Sequence, residues 1–591
     1  MMVLSLIVAS CGPAEEEAEV EVGEEEVEVV EEEEEEEEEA VEEGPEVPKY
    51  GGTLTYLRTS DMSGFDPLYS LPQGTQASIE VNGYLIQGDW TKGLAGTGET
   101  DWSQGADWRI DLMTGSHGLA ESWELPDDST IIVHIREGVH YGLDPDSEAS
   151  RLVNGREFTA DDAVYSMARC YALETSLFAS SYAVGERPES WTALDKYTVE
   201  IKTPPFMQGH NVWQCLAYSW LLPHEVEEVY GDFKDWHNLV GTGPFFLKDI
   251  VPSSSITYEK NPNYFAFDPL HPENRLPYVD TLKTLIIADL STRLAAFRTG
   301  NIDYLMGVSW EDAESLMKTN SDLLSFKTIS APSLPWGRID KEELPFKDIR
   351  VRRALNLAVN QQEIIDDYYQ GNAIMLGIPW PPSPAYEPIY TPLDQQSPEV
   401  QELFTYNPEK AKQLLAEAGY PDGFQTEIIC SSADSDFVSL IKEYFSAINV
   451  EMEIKPLEGS AYWGVMRARS HDEMIFKFLI DYMNPTNLDS VHPIRMDNPS
   501  YYQAPWVQEC IDNMAPLLVS KDPELYRLLK EAGTKILESA HGVYLPAPYR
   551  YNIWWPWLQN YHGEVTVGYG GHNFMHQFLW VDPALKKSMG Y

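Results

Sequence analysis

Nine consecutive glutamates, Glu31 to Glu39, lie in a stretch that from Gly12 to Val47 contains only Glu, Val, Ala, Gly and Pro. Like-charge repulsion opposes its compaction, and its apolar surface is too small to offset the entropy of ordering. As a flexible leash its 36 residues span roughly 35 Å r.m.s., and more when self-repelling. Whatever folds in this chain must therefore do so from about Lys49 onward. That remainder carries 74 acidic against 41 basic residues, so the formal charge of −54 is not confined to the leash. Such a field excludes nucleic acid and an anionic membrane surface as partners. With 43% hydrophobic and 12% aromatic residues, the body can bury a large core. Its length allows about three to four domain-sized units, and no run of 18 apolar residues exists to span a bilayer as a helix.

Met1 to Ser10 are almost wholly apolar and lead into Cys11. The run Val8-Ala9-Ser10-Cys11 resembles a bacterial lipobox, in which small residues suit the signal peptidase and the thiol accepts a diacylglyceryl group. No basic residue precedes the apolar stretch, so the signal is expected to begin upstream of Met1. Residues 1–11 thus read as a truncated lipoprotein signal, and residues 12–48 as a disordered acidic tether. Cys170, Cys215, Cys430 and Cys510 form no C-x-x-C and have no histidine at ligand spacing. A zinc ribbon and a thioredoxin-type site are excluded. Outside the cell one or two disulfides are allowed, and all three full pairings stay open.

Local patterns in the body alternate between strand and helix. GGTLTYL from Gly51, STIIVHIR from Ser129 and YTVEIK from Tyr197 are bounded by turn residues and read as strands. Between the last two, Thr159 and Asp162 open a helix as a capping pair. A short helix is expected from Ser291 to Gly300. Asp348 opens a stronger one, with Val351, Ala354, Leu355, Ala358 and Val359 on one stripe. Asn360 with Glu363, and Asn407-Pro408, begin two more, the latter with Leu414, Leu415 and Ala418 inward and Gly419 as its stop. Further strand-like runs lie at Gln425–Cys430, Val450–Ile454 and Met474–Ile480. The mix is α/β in several discontinuous pieces, with no internal repeat.

No local motif for catalysis is present: no G-x-S-x-G, P-loop, H-E-x-x-H or G-x-G-x-x-G. His224-Glu225 lacks a second histidine four residues on. His572 and His576 have helical spacing but sit in a Gly- and aromatic-rich tail, where hydrogen-bonded structural histidines are expected rather than metal ligands. Asp161-Asp162 has a capping role. The expectation is a protein with no catalysis, cofactor or metal; a secreted hydrolase with dispersed carboxylates stays as an alternative, and an adhesion protein as another.

An ordered series of motifs then carries a resemblance: GLAESWELPDDST from Gly118, NGREFTADDAVYSMAR from Asn154, GTGPFFL from Gly241, NPNYF from Asn261, AAFRTGNIDYL from Ala295, PFKDIRVRRALNLAVNQQEII from Pro345 and YNPEKAKQLLAEAGYPDGF from Tyr406. Together, over roughly Gly51 to Pro485, they resemble family 5 of the solute-binding proteins, the receptors of peptide and nickel ABC importers. The resemblance implies an α/β, two-lobe flytrap of the type II periplasmic-binding-protein kind, with a third inserted subdomain. Lobe I is expected at 49–70, 204–329 and 541–591, the insertion at 71–203, and lobe II at 330–540. It further implies an extracytoplasmic, lipid-anchored monomer that passes oligopeptides to permease subunits, with an oligosaccharide or other non-peptide solute as the alternative ligand.

In peptide-binding members a strand ends in an acid that grips the α-ammonium, within a pattern resembling Asp-Tyr-x-x-Pro-Thr. Asp481 to Thr486 match it, which makes Asp481 and its neighbour Tyr482 the leading ligand contacts, by a charge-assisted bond. Two residues depart from the pattern: Phe478 stands where tryptophan is common, and Ile475 where some members carry a cation. Lys477 shares a strand face with Asp481 and is a candidate for a ligand carboxylate or for neutralising Asp481. Trp336, Trp380 and Trp463 are wall candidates by the same resemblance, although most of the 17 tryptophans are expected in the core. Gly241 to Pro244 is expected as a hinge-side turn, and Arg350, Arg352 and Arg353 on the solvent side of their helix.

Overall fold

Alternation of β-branched and polar residues makes β1 (Thr53–Arg58) a strand with Leu54 and Tyr56 inward. The chain then leaves to build a separate antiparallel sheet from β2 (Ala120–Asp127), β3 (Thr130–Ile135), β4 (Ser190–Asp195) and β5 (Thr198–Lys202), in the order β2-β3-β5-β4. It returns as β6 (Phe245–Val251), β7 (Ser255–Lys260) and β8 (Thr281–Ile286), giving the order β1-β8-β7-β6 with β1 parallel to β8. Next come β9 (Tyr304–Val308) and β10 (Leu324–Ile329). A second mixed sheet, β11-β14-β12-β13, uses β11 (Ser333–Gly337), β12 (Phe424–Ser431), β13 (Val450–Leu457) and β14 (Met474–Phe478). Finally β15 (Ala547–Trp554) goes back between β9 and β10.

This computed structural model describes residues 47–591 apart from 63, 67–77, 107, 115–116, 173–175, 177–183, 219, 480–484, 494–496, 520–521 and 569–573. Cys11, the acidic leash, Asp481, Tyr482 and His572 lie outside the described residues. No helix among those described is long and apolar enough to cross a membrane.

Three buried clusters organise the body. The first gathers Leu54, Tyr258, Leu282, Ile553, Trp555 and Trp557 around the β1 sheet and β15. The second holds Leu334, Trp336, Val351, Ile428, Phe445 and Met474 around β12 and β14. The third fills the β2–β5 sheet with Ile131, Val133, Phe158, Met167, Val199 and Ile201. Of the crossings between the first cluster and the second, two lie side by side. One runs from β10 through Ser330 into β11; the other runs from Val543 through Pro546 into β15. Ser330 N–H donates to the Pro548 carbonyl at 2.9 Å, and Val543 N–H to that of Pro335 at 3.0 Å. These paired strands link the two clusters.

Most helices begin where their caps lie. Asp348 accepts from Arg350 N–H to open Ile349–Ala358, and Val351, Ala354, Leu355, Ala358 and Val359 are all buried. Asn407 accepts from Lys410 N–H at the head of Pro408–Glu417. Thr159 and Asp162 bond reciprocally at α1 (Ala160–Ala172). The helix expected at Ser291 starts at Leu290, because Asp289 caps it through Thr292 N–H.

One expectation is corrected. Arg352 does not face solvent: it is 7% exposed and donates to the carbonyls of Phe346, Lys347, Ser539 and Ala540. Arg350 is exposed and Arg353 half-buried, as a solvent-side face requires. A guanidinium can be buried on carbonyls alone when each of its three nitrogens finds an acceptor, as here. The Gly241–Pro244 turn lies at another junction, apart from the Ser330 and Pro546 crossings. It packs on Val81, whose carbonyl accepts from Gly243 N–H at 2.7 Å, where the chain passes from the third cluster at Val240 to the first at Phe245. A Cβ at Gly241 would stand 2.1 Å from that carbonyl oxygen. The four body cysteines are free thiols, and His576 is structural, bonded to Glu80 and the Tyr304 hydroxyl at 2.7 Å each.

Two buried histidines predict acid sensitivity. Burial, reinforced by Arg352, holds His541 down at about 3, and burial with Arg338 holds His471 at about 4. Unfolded, both titrate near 6.5, so below that pH the unfolded chain takes up protons that the folded chain refuses. Stability is then untouched above about pH 6.5 and falls as pH drops toward the folded values, by about 2 kcal/mol per histidine at pH 5. Urea midpoints measured from pH 7.5 to 5 should fall, and less steeply for His541→Gln and His471→Gln. A midpoint constant over that range would contradict this.

Candidate functional site

The paired crossing strands floor an open cleft of about 730 Å³, through Ser330 to Ser333, Pro546 and Pro548. One wall comes from the first body. Ser309 caps α2 (Trp310–Thr319) by accepting from Asp312 N–H, which brings Trp310, Glu311 and Asp312 to the cleft. Tyr549 and Arg550 of β15 join them. The facing wall comes from the second body. Ser431 holds the Asp434 carboxylate at 2.6 Å as β12 turns into the helix Ser435–Ser446. Phe437 in its first turn stands 4.9 Å from the Tyr368 ring and 6.0 Å from that of Phe476. Tyr368 and Tyr369 end a π-helical turn, Ile364–Tyr368, a form that recurs at functional sites.

The lining offers aromatic faces and charge of both signs. Burial pushes the Tyr368 and Tyr369 phenols up; Glu311 and Asp434 push the same way and Arg550 opposes them. These groups therefore share one field at the cleft. Neither histidine nor cysteine lines it. Such a surface suits an amphipathic solute with ionised ends.

The expected site residues are placed as follows. Phe478, at the end of β14, lines the cleft, and Trp463 packs edge-on against it at 6.2 Å. Lys477 is buried and bonds Asp497 at 2.7 Å. Trp336 is buried behind β14, its indole N–H donating to the Lys477 carbonyl at 2.8 Å. Trp380 is buried in the first cluster, against Gly533. The structure thus puts Phe478 in the cleft lining, with Trp463 packed on it outside that lining, and places Lys477, Trp336 and Trp380 in packed interior. Arg550, Asp434, Tyr368 and Glu311 escaped the sequence reading. Arg550 had a signal: it is the one charge in the apolar strand APYRYNIW. Asp162, His224 and Glu225 bring polar atoms within 4.8 Å of one another, but Arg156 pairs with both carboxylates and occupies their charge.

The model for "Bacterial extracellular solute-binding proteins, family 5 Middle" matches residues 116–489, well over half the chain. The chain belongs to this family. Heme-binding protein A of Haemophilus influenzae is 31% identical over 325 residues, 52% of this chain and 54% of that protein. The chain thus spans little more than half the length of that curated relative. The glutathione-binding protein GsiB of Salmonella typhimurium is 25% identical over 433 residues, 70% of this chain and 77% of its own. Among solved structures, DppA of Helicobacter pylori, in complex with the peptide STSA, superposes with a TM-score of 0.67 at 22% identity, over 90% of this chain and 98% of its own. AppA of Bacillus subtilis, in complex with a nonapeptide, gives 0.67 at 21%, over 91% and 100%. The family-5 chain therefore has the mixed α/β fold of DppA and AppA, with several sheets.

Proposed function

We propose that this family-5 protein is the solute receptor of an ABC importer, and that it captures oligopeptides in the strand-floored cleft by closing its two large bodies on them. The observation that carries the reading is the lining: Glu311 and Arg550 on one wall and Asp434 on the other, among Tyr368, Phe437 and Phe478. A peptide brings an ammonium, a carboxylate and side chains of any kind, and this surface meets all three. A neutral oligosaccharide would leave the charges unmatched, at a loss of affinity. The peptides bound by DppA and AppA support the same substrate class. Asp481 and Tyr482, following Phe478 closely in sequence, complete the proposal as the ammonium grip. Cys11 is proposed as the lipid anchor that keeps the receptor at the outer face of the membrane, on its acidic leash.

One preparation tests both parts. Protein purified from the membranes of its native host, denatured and examined by mass spectrometry, should release peptides and show a diacylglyceryl mass on Cys11. Recovery of a sugar or a heme would replace the substrate class. An unprocessed N-terminus ahead of Cys11 would remove the anchor.

A further inference from the structure

In a chain with 95 acids against 41 bases, a guanidinium without a partner is conspicuous. Arg109 and Arg338 pair with Asp111 and Asp340 at 2.6 Å, Arg169 pairs with Asp66, and Arg352 sits on carbonyls. Among the described arginines, only the side chains of Arg293 and Arg550 make no hydrogen bond, ion pair or ring contact; their backbones are bonded to Asp289 and Thr328. Both line the same cavity, about 320 Å³ in volume, which opens off the cleft and shares Ser309, Asp312 and Arg550 with it.

The cavity is built by local rules. Leu290, Arg293 and Leu294 fall on one face of the helix Leu290–Arg298 by their spacing. Asp289 makes no ion pair with Arg293: its Oδ1 accepts from Thr292 N–H at 2.7 Å and from the Thr292 hydroxyl at 2.6 Å, and Arg293 acts on its carboxyl only as a lesser electrostatic influence. The Arg293 Nε is buried with no partner, an uncommon state for a charged donor. Opposite, β9 is bulged between Leu305 and Val308, with Gly307 at φ +67° and its N–H on the Asn552 side chain at 2.9 Å. Bulges of this kind re-aim side chains beside binding sites. Here Leu305 and Met306 become the facing wall. The one acid lining the cavity, Asp312, accepts from the Ser309 hydroxyl at 3.1 Å and pairs with neither arginine. Leu290 and Met306 remain substantially exposed.

Two unpaired guanidiniums above apolar walls describe the counterpart of a carboxylate on an apolar arm, since the planar fork matches carboxylate geometry. We propose that this cavity is an organic-carboxylate subsite, in which Arg293 and Arg550 hold the terminal carboxylate of a peptide whose last residue is apolar. The peptide assignment rests on the function proposed above; the carboxylate subsite does not.

The test uses 3-phenylpropionate and its amide, followed by ligand-observed NMR, and the peptide Ala-Ala-Ala-Phe and its C-terminal amide, followed by calorimetry. On the parent protein each acid should bind at least tenfold tighter than its amide. Arg293→Gln should remove most of that preference while leaving amide binding and thermal midpoint near parent values; Arg550→Gln, whose residue also lines the main cleft, should remove the acid–amide difference while keeping the parent thermal midpoint. Acid and amide binding alike on the parent would overturn the subsite without any variant, as would full acid affinity in both variants. Discrimination of phenylpropionate from its amide with no peptide binding would keep the subsite and sink the peptide reading. Peptide binding indifferent to amidation, with phenylpropionate likewise indifferent, would do the reverse.

Discussion

Arg169→Met should destabilise the protein by about 3–5 kcal/mol, the range found when one member of a buried ion pair is removed. The Arg169 side chain is 6% exposed and that of Asp66 is fully buried. The guanidinium meets both Asp66 oxygens, at 3.0 and 2.6 Å, and Glu227 at 2.9 Å. Tyr165 donates to the other Glu227 oxygen, and the Phe233 ring lies under the guanidinium at 5.1 Å. Methionine fills much of the same volume, so the loss is electrostatic rather than a cavity. Asp66 would be left charged and dry, which is the costly state, and not the mere absence of an attraction. Adding Asp66→Asn to Arg169→Met should therefore recover part of the loss. Urea denaturation followed by far-UV circular dichroism reads the parent and both variants. A loss below about 1 kcal/mol for Arg169→Met would mean that water reaches the pair.

Asp481→Ala should weaken binding of a peptide with a free amino terminus by about 30-fold to several thousand-fold, equivalent to roughly 2–5 kcal/mol for a buried charge left unpaired. The motivation is the Asp-Tyr-x-x-Pro-Thr pattern at Asp481–Thr486, just beyond Phe478 on the cleft wall. Calorimetry would compare Asp481→Ala and Asp481→Asn with the parent, using a peptide and its N-acetylated form. The parent should discriminate strongly between them and the variants weakly. Parent-strength binding of the free peptide by folded Asp481→Ala would take the residue out of the site. Equal parent affinity for free and acetylated peptide would turn the reading toward a neutral solute.

Much of this protein is written locally. The glutamate leash cannot fold because neighbouring charges repel, whatever lies elsewhere. Asp348 and Asn407 start their helices because a cap acts on N–H groups two or three residues on. The stripe from Val351 to Val359 is buried because helical spacing puts those residues on one face. The ordered motifs likewise carried the family.

Tertiary structure decided the rest. Sequence placed Arg352 on the solvent side with its neighbours, yet it reaches the carbonyls of Ser539 and Ala540, nearly two hundred residues away. Trp336 reads as a wall and packs as core, since an indole buries wherever its N–H finds an acceptor, here Lys477. The cleft gathers Trp310, Tyr369, Asp434, Phe478 and Arg550, whose separations along the chain carry no pattern. Most of all, sequence cannot tell a paired arginine from an unpaired one. Helical and strand periodicity reports which face a residue occupies, but the charge opposite that face belongs to another segment, and only the folded chain brings it there or withholds it. At Arg293 and Arg550 the fold withholds it.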